Sequence, residues 1–114
     1  WKEAHKLALL IYRCTEDFPI NERYSLIDQM RRAAVSITSN IAEGFSRNTF
    51  RDKIQFYSIS QGSVTELQSQ LLIVKDVDLL NDEIFQKVFN QTIVVHKLIN
   101  GLIKKSKEIM NHNS

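Results

Sequence analysis

The chain has 114 residues, 43% hydrophobic and 25% charged, which is room for one soluble domain with a core of its own. Its 1 proline and 3 glycines exclude a many-turned β fold and leave long helices easy to build. A net charge of +2 does not by itself argue for nucleic acid, and 1 cysteine excludes an internal disulfide and fits a reducing cytoplasm.

No apolar run approaches the roughly 18 residues of a membrane span, and no signal peptide is visible. The chain opens on Trp1 rather than methionine, so its natural start is expected upstream. The first helix is expected from about Lys2 to Asp17, with Ala4, Leu7, Ala8, Ile11, Thr15 and Phe18 on one face. Phe18-Pro19 ends it, because a residue before proline avoids helical backbone. A second helix is expected from Glu22 to Gly44, capped by Asn21, with Tyr24, Ile27, Met30, Ala34, Ile37 and Ile41 turned inward. Gly44 is expected to stop it in a left-handed conformation.

Thr49, with Asp52 three residues on, resembles a capping box and opens a third helix over about Phe50 to Lys75. Gly62 lies inside it at a cost of about 1 kcal/mol against alanine, which points to close approach of a neighbouring backbone. Asn81 then caps a fourth helix over about residues 82–108, and Met110 to Ser114 are expected to fray. Its apolar positions include Ile84, Phe85, Val88, Phe89, Ile93, Val94, Val95, Leu98 and Ile99, broader than one core-facing stripe. The surplus points to a second buried surface, between subunits. The expected fold is all-α: an up-down-up-down antiparallel four-helix bundle in a single domain spanning 1–114.

Little in the chain offers catalysis. His5, His96 and His112 stand apart, and the Glu-x-x-His spacing of a di-iron bundle does not occur. No nucleophile elbow, Walker loop or dinucleotide fingerprint is present. Cys14, on a core-facing helix, reads as a small hydrophobe. We expect no enzyme, no metal and no cofactor.

Two features remain. Arg32, Ser36, Asn40 and Glu43 follow one helical stripe and, with Glu66, are expected to form a polar seam between helices. Glu66 falls between Val64 and Leu67, so it is expected to turn inward as a partner for Arg32, Asn40 or Ser36, and Glu66→Ala is expected to destabilise the fold. Arg31, Arg32, Arg47, Arg51 and Lys53 gather in sequence about the second loop and are candidate phosphate contacts, since the guanidinium fork donates paired hydrogen bonds. Phe50, Phe56 and Tyr57 lie nearby as stacking surfaces, Phe50 being the best placed for exposure. The plainer alternative is a solvated loop with scattered ion pairs. A second run, Lys97, Lys104, Lys105 and Lys107, reads as cations complementing a helix C-terminus.

Several of these segments coincide with a known pattern: Trp1 opening the first helix, Ile11-Tyr12, Phe18-Pro19, the run Arg31 to Gly44 ending Asn-Ile-Ala-Glu-Gly, and Gly62-Ser63-Val64-Thr65-Glu66-Leu67-Gln68-Ser69-Gln70-Leu71. In these the chain resembles the four-helix-bundle family first named as 23S rRNA intervening-sequence proteins, from Trp1 to about Lys107. The resemblance implies a bacterial, cytoplasmic, non-enzymatic bundle that assembles into a pentameric ring. It further implies RNA or other nucleic acid as a partner, with Arg31, Arg32, Arg47 and Arg51 as contacts. A similar group serves as accessory proteins to the reverse transcriptases of diversity-generating retroelements, which implies a protein-interaction scaffold as the alternative.

Overall fold

The computed structural model describes residues 1–19, 21 and 26–112. Four helices follow in order: α1 (Lys2–Thr15), α2 (Asp28–Ser46), α3 (Phe50–Asp76) and α4 (Asp82–His112), with no strand among the described residues. Neighbours in sequence pack against each other, and α1 closes the circle against α4. The result is an antiparallel four-helix bundle measuring 52 × 24 × 19 Å. Its core follows the helical period: Leu7 and Ile11 from α1, Met30 and Ile37 from α2, Val64, Leu67 and Leu71 from α3, Val88, Val95 and Ile99 from α4.

The helix ends show how local chemistry fixes the connections. α1 stops at Thr15, slightly short of Asp17, where the Glu16 amide donates to the Arg13 carbonyl in a tightened last turn and Phe18 folds back into the core. The chain enters α2 through a π-type turn at Leu26 and Ile27, so the regular helix begins at Asp28. The expected Asn21 cap depends on Glu22 and Tyr24, which lie outside the described residues. At the other end α2 runs past Gly44 to Ser46, and Gly44 is not left-handed. It is glycine for a packing reason: a Cβ there would lie 2.8 Å from Cδ1 of the Tyr57 ring on α3.

Thr49 caps α3 by accepting from the Asp52 amide at 3.1 Å, and the Asn81 side chain caps α4 by accepting from the Ile84 amide at 2.8 Å. Between them α3 ends in a Schellman motif. The Leu79 amide donates to the Val74 carbonyl and the Asp78 amide to Lys75, with Asp78 at φ 62°. α4 continues to His112, beyond the expected end, because Ser106 is buried and Ile109 half-buried against the bundle.

The helices differ in length, and this shapes the molecule. α1 has 14 residues and α4 has 31, about 21 Å against 46 Å. Gln91 of α4 donates to both the backbone carbonyl (2.9 Å) and the carboxylate (2.6 Å) of Glu3, which pins the start of α1 partway along α4. Four helices therefore surround the core near the α1–α2 and α3–α4 connections, and three surround it at the α2–α3 loop.

Candidate functional site

The polar seam is narrower than the stripe in the sequence. Ser36 and Ser63 share a hydroxyl–hydroxyl bond of 2.9 Å between α2 and α3, and Asn40 donates to the Ser36 carbonyl and hydroxyl at 2.8 and 3.1 Å. Ser60 extends it by donating to the Ile37 carbonyl at 3.0 Å. Arg32, Glu43 and Glu66 do not join. Arg32 and Glu43 sit on the outer margin of the stripe and are exposed; Glu43 accepts from Ser46 and pairs with Arg47 at 3.5 Å. Glu66 is a correction as well. It lies about 100° round the helix from Leu67 and about 160° from Val64, so it faces outward, where Gln70 donates to it at 3.2 Å.

The five candidate cations also divide. Arg31 and Arg32 precede Arg47 by some four turns of α2, about 24 Å for the sixteen residues from Arg31 to Arg47 at 1.5 Å per residue. They do not gather at the α2–α3 loop, because a helix keeps neighbours in sequence far apart in space. Arg31 is engaged structurally: its Nε donates to Thr15 Oγ1 at 3.0 Å, a terminal nitrogen donates to the Tyr12 carbonyl at 3.3 Å, and the guanidinium covers the Tyr12 ring at 4.7 Å. With Tyr12, Asp28, Arg32, Val35 and Ser36 it lines an open groove of about 560 Å³. Lys53 is engaged too, its Nζ donating to the Gly44 and Phe45 carbonyls at 3.1 and 3.0 Å, which satisfies the end of α2. Arg47 lies over the Phe56 ring at 4.5 Å, and Arg51 is exposed without an ion pair among the described residues.

The antiparallel register adds cations that sequence spacing kept separate. Gln68 donates to Thr92 at 3.0 Å and Gln61 bonds Asn100, so α3 and α4 pair with residue numbers summing to about 160. Lys107 thus stands level with Lys53, and Lys104 with Tyr57. The exposed Lys104, Lys105 and Lys107 share the end that carries Arg47, Arg51 and Lys53, where they face Glu43, Asp52 and Glu108. The opposite end collects Glu16, Asp17, Asp28, Asp76, Asp78, Asp82 and Glu83 against Arg13, Arg31, Arg32, Lys75 and Lys87. Among the described residues the two ends therefore have opposite signs.

The aromatic groups near the loop are placed differently from expectation. Phe50 and Phe56 are half-buried and Tyr57 is buried. The open ring is Phe45, 49% exposed, which meets Tyr57 edge-on at 5.9 Å and 73°. Its position directly after Gly44, where the helix was expected to give way to a loop, was the signal available in the sequence.

His5 stacks on Trp1 at 4.9 Å, and His96 is half-buried with its Nδ1 unbonded. No three His, Cys, Asp or Glu side chains come together as a metal site among the described residues. Burial pushes the Cys14 thiol up to about 11, so it stays protonated at neutral pH, and its Sγ contacts the Ile11 carbonyl. No described helix is long and apolar enough to cross a membrane.

Comparison with known proteins agrees with this architecture. The fold matches the crystal structure of a protein of unknown function from the S23 ribosomal protein family of Bacteroides thetaiotaomicron, with a TM-score of 0.80 over 90% of this chain and 96% of that one. The two are 21% identical, so the likeness speaks to fold alone. No curated protein matches the chain. The family model of the 23S rRNA-intervening sequence protein matches residues 1–101, and the chain belongs to that family.

Proposed function

We propose that the chain is a non-enzymatic, oligomeric helical bundle of the bacterial cytoplasm that binds RNA, or nucleic acid generally, through its cationic end. One observation carries the reading: the fold brings Arg47, just after α2, and Arg51, in the first turn of α3, to the same end as Lys104, Lys105 and Lys107 of α4. The contacts are to phosphate, since no base-reading motif is present. Repetition of a modest patch around a ring raises its avidity. Arg32, at the opposite end, is a secondary contact at most.

The test is fluorescence anisotropy with labelled RNA and DNA at low and moderate salt. We expect affinity to fall steeply with salt, and charge reversal at Arg51, Lys104 and Lys105 together to weaken binding on the order of a hundredfold. An affinity that is flat with salt sinks the reading.

A second reading is a scaffold ring for a protein partner such as a reverse transcriptase. It is favoured by the apolar side chains that a single chain leaves exposed, Ile84, Ile93, Val94 and Leu98 on α4, Tyr12 on α1 and Trp1 just before it. Solution mass measurement tests the pentamer, and a folded oligomer that ignores nucleic acid at low salt selects this reading.

A further inference from the structure

We propose that the cationic end takes single-stranded rather than duplex RNA, with an unpaired base stacked on the Phe45 ring. The inference rests on the nucleic-acid reading above and names its substrate class. Cations alone do not distinguish single strands from duplexes, since both present phosphates. Open aromatic planes do, because a duplex keeps the faces of its bases inside its own stack.

Phe45 offers such a plane, and it is held in place. Lys53 binds the carbonyls of Gly44 and Phe45, fixing the backbone from which the ring projects. The missing Cβ of Gly44 lets Tyr57 pack beneath and meet the Phe45 ring edge-on, leaving Phe45 half open to water. A second plane stands at the same loop: the Arg47 guanidinium lies over the Phe56 ring at 4.5 Å, pairs with Glu43 at 3.5 Å and stays 43% exposed. At the same end of the bundle, Arg51 on α3 and Lys104, Lys105 and Lys107 on α4 are exposed cations that can meet the phosphates of the strand on which the stacked base lies. Preordered rings flanked by cations are the physical requirement for holding single strands with little sequence preference.

The experiment compares a short uridine-rich RNA with the same RNA annealed to its complement, on wild type, Phe45→Ala and Phe45→Trp, with oligomeric mass measured for each. We expect wild type to prefer the single strand. Phe45→Ala should lose about tenfold toward the single strand and almost nothing toward the duplex, Phe45→Trp should restore the preference, and the mass should not change. Equal binding of both RNAs by wild type, an unaffected Phe45→Ala, or a mass change that places Phe45 in a subunit contact overturns the proposal while leaving the nucleic-acid reading intact. No binding of either RNA at low salt overturns both.

Discussion

The two ends of the bundle solve different problems with the same helices. At the α1–α2 and α3–α4 connections four helices surround the core, Arg31 ties α2 to the end of α1, and a Schellman turn closes α3. Arg31 is engaged there on Thr15 and Tyr12, and carboxylates outnumber cations among the described residues. At the α2–α3 loop only three helices pack, and there the cations outnumber the carboxylates among the described residues, with Arg51, three lysines and the Phe45 ring left exposed. One end carries a surplus of carboxylates, and the other a surplus of cations, of which Arg51, Lys104, Lys105 and Lys107 are exposed.

The largest expected stability effect lies at the cationic end. Gly44→Ala drives a methyl into the Tyr57 ring, which cannot yield without disturbing Phe45, so we expect a loss of about 1–3 kcal/mol in chemical unfolding. A neutral result would mean that this end is soft, and the contrast with the other would dissolve. The next effect has the opposite sign and the opposite place. Asp78→Gly relieves a left-handed residue in the α3–α4 turn and should stabilise by about 0.5–1 kcal/mol, read as a raised melting temperature. The smallest concerns Glu66, between the two ends: because it is exposed, Glu66→Ala should move stability by less than about 0.5 kcal/mol, against the destabilisation its sequence position implied.

Much of the fold was legible in the sequence because it is written locally. Helical period, Thr49 and Asn81 as caps and the Phe18-Pro19 break each act within a turn or two of chain. The site was legible only in part, because it depends on which distant residues meet. Gly44 reads as a helix stop until Tyr57, thirteen positions on, is seen against it. Arg31 and Arg47 read as one cluster until the helix between them is given its length. Lys104, Lys105 and Lys107 read as ordinary helix-end charges until the register brings them to the same end as Arg51. Glu66 misleads for a subtler reason: adjacency to Leu67 in sequence is a quarter-turn of rotation in space.

The opposed charges at the ends of a 52 Å body carry a kinetic consequence. Such a molecule is an electric dipole along its long axis, and near a polyanion it experiences a torque as well as a pull. It is rotated into an end-on approach before any side chain touches, so salt would act first on the rate of productive encounter and only afterwards on the lifetime of the complex.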